Sequence, residues 1–335
     1  MGVVGSSPIG VAEVPSSRGL GHRPFTAVTR VRIPLGLLKQ NNEWYSYKMK
    51  FYYFGGVLDS TSSNIDYLES NNFDGVLFTY NPYQGDFFVR IAKTLNHNQK
   101  IKYMVAIRPH TISAQYLCMI NQSISEIQDN RLQINLISGH IKPHESDFNG
   151  IIGDITDHSS TKDRTNYLIN YIQELSEMKN NTKIKIPDFY VSCTNIFAYN
   201  KASELNQKII LPYEVYKNKY FFNRDVEGQT RPGAELEIKD QKIMLAIGPI
   251  LRATQEEIDL EFPKNKLIHI YGGGEYWDRE RITTDTEYFT FEEFANFIQS
   301  LESEGINEIL LNSGYEQERP KIIEYVKKYK DLNNI

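Results

Sequence analysis

Cysteine is almost absent from this 335-residue chain: Cys118 and Cys193 are its only two. Two cysteines cannot build a disulfide framework, and such sparse use fits the reducing cytoplasm. No run of about 18 apolar residues occurs, so the sequence offers no membrane-spanning helix. A short apolar core behind a basic start is missing too, and with it the signature of a secretory leader. Positive charge is not in excess, with 37 Lys and Arg against 42 Asp and Glu and a net charge of -5. Without a basic field, nucleic acid is not an expected partner. No GxGxxG follows the first apolar strand, which counts against a dinucleotide-binding open sheet. Beyond residue 48 there are no solenoid-length repeats and no low-complexity blocks.

The first 38 residues lack something different. They contain no Lys, Asn or Tyr, yet hold 6 of the 21 Gly and 4 of the 13 Pro. The chain beyond them is dense in Asn, Lys, Ile and Tyr. Their string "TRVRIPLG" (29–36) resembles a translated transfer-RNA gene, whose T-arm sequence GTTCGAATCC reads Val-Arg-Ile-Pro in frame. Residues 1–48 are therefore expected to be a non-domain extension derived from upstream sequence. Met49 is expected to open one functional domain covering 49–335.

From Met49 onward, apolar runs alternate with helical patterns. "MKFYYFGG", "DGVLFTY", "KIKYMVAIR", "RLQINLIS", "PDFYVSC", "KIILPY", "KIMLAIGPIL" and "NEILLNSG" read as strands. "NIDYLESNN", "GDFFVRIAKTLN", "SAQYLCMINQSISEIQ", "DRTNYLINYIQELSEM" and "TFEEFANFIQSLESEG" read as helices. Near-continuous apolar strands separated by helices argue for a parallel sheet covered on its faces. About eight such units in about 287 residues suit a closed (β/α)8 barrel of the TIM type.

A barrel places its chemistry at the C-terminal ends of its strands. The third strand ends at Arg108-Pro109, where proline stops the pairing. Ser113 suits a helix N-cap. The helix after it sets Tyr116, Ile120, Ile124 and Ile127 on one face, with Cys118 as a packing residue. The fourth strand ends at Ser138, Gly139 and His140, and Gly139 lets backbone N–H groups approach a ligand closely.

The stretch "VAIRPHTISAQYLCMINQSISEIQDNRLQINLISGH" resembles the signature region of the bacterial luciferase-like, flavin-dependent monooxygenases, nearest their alkanesulfonate monooxygenase branch. Arg108, Pro109, Ser113, Asn130, Arg131, Asn135, Ser138 and Gly139 carry the likeness, with Ser138 where the family has Thr. "DRTNYLINYIQEL" resembles the family's fourth helix, "PDFYVSCTN" its phosphate loop and "GINEILLNSGYEQE" its last strand. The resemblance implies reduced FMN supplied by a separate flavin reductase, with dioxygen and a small organic substrate. The flavin carries the hard chemistry, so no metal is needed. Cofactor contacts fall on Thr79, Asn135, Ser138, Gly139, Ser192, Thr194 and Asn195. His140, Tyr315 and His110 become the catalytic candidates. A homo-oligomer, dimer or tetramer, is expected as well.

The departures lie on the substrate side. Where desulfonating relatives carry His, Cys, Arg and His, this chain has Phe54-Gly55-Gly56, the vicinity of Gln84, Ala246 and Gly248. Arg252 reads as solvated. Tyr80, Tyr83, Phe87, Phe88 and Tyr315 would form an aromatic wall suited to a neutral, partly apolar substrate. Cys193 lacks the neighbouring base that a nucleophile needs. His140, His144, Glu145 and Asp147 crowd together, but Pro143 breaks any helix that would align two histidines on zinc, so no metal site is expected. Two alternatives stand beside the monooxygenase: a non-catalytic flavin-binding partner subunit, and a deazaflavin-dependent dehydrogenase.

Overall fold

The computed structural model describes residues 49–55, 62–79, 85–95, 100–138, 161–181, 184–221, 233–238, 242–261, 286–312 and 318–333. Among them the strands are β1 (Lys50–Gly55), β2 (Gly75–Phe78), β3 (Lys102–Ile107), β4 (Leu132–Ile137), β5 (Asp188–Ser192) and β6 (Lys208–Pro212). A two-residue pair, β7 (Tyr220–Phe221) and β8 (Ala234–Glu235), precedes β9 (Ile243–Arg252), β10 (Thr286–Thr290) and β11 (Glu308–Leu311). The helices are α1 (Ser62–Ser70), α2 (Phe87–Thr94), α3 (Ala114–Ile127), α4 (Thr161–Asn181) and α5 (Ile196–Glu204). They continue with α6 (Tyr213–Asn218), α7 (Gln255–Glu261), α8 (Phe291–Ser303) and α9 (Arg319–Asn333).

All eight apolar runs became strands, and all eight pair in parallel. β1 to β6 follow one another in order, β6 joins β9, β9 joins β11, and β11 returns to β1. The closing register sets Ile210 against Met244 and Lys50 against Glu308. This is a (β/α)8 barrel. β10 pairs with β9 at Gly248 to Arg252, past the stretch of β9 that β11 uses.

Strand alternation divides the apolar residues into two cores. One fills the shell between strands and helices, with Phe51, Tyr53, Val105, Ile134, Leu136 and Val191 among its members. The other lies inside the barrel and contains Tyr52, Leu77, Met104, Ala106, Tyr190, Ile210, Met244 and Leu310. Phe87 belongs to the outer shell, where its ring stacks on Phe78 at 5.4 Å, and Phe88 packs against the same shell. Neither forms the expected pocket wall. Both occupy the apolar face of α2, which must cover the barrel.

Helix α3 shows a second correction. Ser113 caps it as expected, its hydroxyl accepting from the Tyr116 N–H at 3.2 Å. The buried face, however, is Ala114, Leu117, Cys118, Asn121 and Ile124, while Tyr116 and Ile127 are about half exposed. Small Ala114 and Cys118 let the helix approach the barrel. Asn121 is tolerated there because its amide donates to the Lys185 carbonyl at 2.9 Å.

The barrel floor, at the strands' N-terminal ends, is polar. Lys50 pairs with Glu308 at 2.9 Å, and the Tyr190 hydroxyl donates to the other Glu308 oxygen at 2.9 Å. Gln133 donates to Asp188 at 3.0 Å, and Lys208 grips both oxygens of Asp188 at 2.7 and 2.6 Å. Tyr52 adjoins Gln133 and Tyr190. Burial pushes the pKa values of both tyrosines well up, so these phenols stay neutral donors. Tyr52, Gln133, Tyr190 and Glu308 are all buried.

Candidate active site

The opposite end is where the predicted cofactor residues gather. Asn135 on β4 and Ser192 on β5 face the barrel interior one layer above the floor, by alternation with Gln133 and Tyr190. Their strands pair in register, Asn135 opposite Tyr190 and Ile137 opposite Ser192. The Ser192 hydroxyl donates to Asn135 Oδ1 at 2.8 Å. That bond uses the Asn135 carbonyl oxygen, so the donor of this side chain is its NH2. Asn135 is buried and Ser192 half-buried, so the pair sits where the interior opens toward solvent. Phe54, Ile137 and Ala246 pack around the same upper interior.

The β5–α5 turn supplies the second element. Asn195 is the N-cap of α5, its Oδ1 accepting from the Ala198 N–H at 2.9 Å. It is 1% exposed, and its Nδ2 has no hydrogen-bond partner. A buried amide donor left unmatched is costly unless something completes it. Thr194 beside it is exposed. Cys193, the residue between Ser192 and Thr194, is wholly buried, its thiol donating to the Val191 carbonyl at 3.5 Å. Burial pushes its pKa far up, so it is packing and not a nucleophile.

Ser138 and Thr79 follow the last residues of β4 and β2, half-buried at the same rim. His110 lies in the short 3-10 turn Pro109–Thr111 after β3, half-buried and beside α4. The structure thus puts Thr79, His110, Asn135, Ser138, Ser192, Thr194 and Asn195 at one end of the barrel, with Asn135 and Ser192 joined by a direct bond. Gly139, His140 and Tyr315 lie outside the described residues, as do Tyr80, Tyr83, His144, Glu145 and Asp147. Among the described residues no cluster of three or more His, Cys, Asp or Glu could hold a metal ion, and no helix is long and apolar enough to cross a membrane.

Much of the stretch that carries the family likeness turns out to be structural. Asn130 takes a positive φ of 56° in the turn before β4. Arg131 is buried at the floor end, its Nε donating to the Ile101 carbonyl at 2.8 Å and its guanidinium lying over the Tyr103 ring. Arg108 is buried as well.

One residue was misread. Arg252, expected in solvent, is 4% exposed and forms a two-pronged pair with Glu318 at 2.7 and 2.9 Å. It ties the end of β9 to the start of α9. Nothing in the sequence near "LRATQEE" could show that, since the partner lies 66 residues on.

No protein-family model matches the sequence, and no curated protein matches it. Solved structures do. A riboflavin lyase crystallised with modified FMN and its substrate riboflavin superposes with a TM-score of 0.59 at 10% identity, covering 86% of this chain and 92% of that one. A long-chain alkane monooxygenase gives 0.56 at 12% identity, covering 86% and 92%. The coenzyme F420-dependent tetrahydromethanopterin reductase of Methanopyrus kandleri gives 0.55 at 10%, covering 84% and 98%. The chain has the fold of these barrels. At such identities the likeness speaks for the fold alone, and the chemistry rests on the residues.

Proposed function

We propose that the protein is a flavin-dependent monooxygenase of the luciferase-like kind, using reduced FMN from a separate reductase to oxidise a small organic substrate with dioxygen. The observation that carries this reading is the Asn135–Ser192 pair at the open end of the barrel, next to a helix N-terminus whose cap residue holds an unmatched amide donor. These groups fit a flavin phosphate and its polar chain. The α5 N-terminus favours an anion, Asn195 Nδ2 and Thr194 add donors, and Asn135 and Ser192 can orient the polar chain. Bound FMN supplies the redox chemistry: its two electrons and dioxygen yield one oxygen atom in the product and one in water. The chain itself binds, orients and excludes water, since Phe54, Ile137 and Ala246 give the upper interior an apolar wall.

Binding to FMN and to anaerobically reduced FMN tests the reading. Asn135→Ala, Ser192→Ala and Ser138→Ala should each weaken flavin binding by about 1–3 kcal/mol, a loss of about five- to 150-fold, with circular dichroism unchanged. Unaltered affinity in all three would move the site elsewhere. Hydride transfer with a deazaflavin is the second reading, favoured by the match to the F420-dependent reductase. Tight binding of coenzyme F420 with no response to FMN would select it. The expected homo-oligomer has Tyr116, Met119 and Ile127 in its favour, all about half exposed on α3.

A further inference from the structure

Next to the N-terminal end of β1 lies a buried anion with no cation paired to it among the described residues. Glu302 of α8 is 8% exposed. Its Oε1 accepts from the Met49 backbone nitrogen at 3.1 Å and from the Tyr329 hydroxyl of α9 at 3.3 Å. Both donors are neutral. The two ammonium groups at this end of β1 and on the buried face of α9 are engaged elsewhere, Lys330 with Asp74 at 2.5 Å and Lys50 with Glu308 at 2.9 Å. Tyr325 of α9 adds a phenol that burial keeps neutral and whose oxygen has no hydrogen-bond partner. A carboxylate taken out of water and given only neutral donors is expensive, and burial accordingly pushes the Glu302 pKa up.

The missing cation can come from Met49. Its side chain is 0% exposed and packs in the outer core, which fixes the backbone nitrogen against Glu302. In a chain that starts there, this nitrogen is an α-ammonium carrying three donors and a full charge. We propose that Met49 is the N-terminus of the working protein and that Glu302 is the binding site for its α-ammonium group. The composition break before residue 49 agrees. So does Lys50, because initiator methionines are trimmed only before small residues. The sign of the pH dependence follows. An anion beside the α-amino group raises its pKa above the ordinary value of about 7.7–8.0. The pair's stabilisation is then complete below that value and is lost as pH rises through the folded pKa.

The test begins with the gene at its own locus, carrying a C-terminal tag. The product should have Met49 as its N-terminal residue by mass and sequencing. Met49→Leu, a mild core exchange, should abolish it, and Lys48→Met combined with Met49→Leu should restore it one residue longer. A product that starts upstream, or that survives Met49→Leu, overturns the proposal. On the purified product, the urea midpoint should fall between about pH 7.5 and 9.5, and Glu302→Gln should flatten that fall. A fall that is the same with glutamine at 302 would show that the α-amino group is not held there.

Discussion

Arg252 and Glu318 show what a single residue does when its charge is buried. At 4% and 2% exposure, neither can shed its charge into water if the other is removed. Arg252→Ala or Glu318→Ala should therefore destabilise the protein by about 3–5 kcal/mol in urea denaturation, while Arg252→Met with Glu318→Leu should lose far less. The pair also bears on the substrate. A buried sulfonate needs cationic or N–H partners, and Arg252 is already committed to a carboxylate. With a flavin reductase, NADH and short alkanesulfonates, sulfite should stay at the uncoupled background; release well above it restores the desulfonating reading. Residues of this kind were the least legible in the sequence. Asn135 and Ser192 could be placed from strand ends and the family likeness, because each belongs to a local pattern. The Arg252 pairing is set by tertiary approach across the barrel wall, which no window of sequence contains.

Elements were easier to read, and their errors have a common cause. Eight apolar runs marked eight strands because parallel strands are buried on both faces. The same runs hid which alternate positions look inward. Lys50, Lys102, Gln133, Asp188, Lys208 and Glu308 share the inward face at the barrel floor. Space is tight there. A Cβ on Gly75 would lie 2.3 Å from two carbons of the Tyr52 ring. Gly75→Ala should cost roughly 1–3 kcal/mol from overpacking. Tyr52→Leu in the same chain should recover part of that loss, so that the double variant falls short of the sum of the singles. Strict additivity would mean the ring turns aside freely. The α3 face was misjudged for a related reason: four large apolar residues outweighed the small ones that touch the barrel.

At the scale of the whole molecule, the closed ring of eight strands was legible from unit count and length, and the end at which the candidate residues gather followed from the fold. The loops that would name the substrate were not, since their residues answer to a ligand and not to a repeating pattern. The buried floor has one more consequence. Tyr52, Tyr190, Gln133 and Glu308 are packed and buried at the floor, so the proposed site is to be reached from the opposite end. If two ligands share that end, the deeper one arrives first and departs last. Under the proposed function this sets an order: product-inhibition patterns should report ordered binding, with the flavin unable to exchange while the second molecule is bound above it.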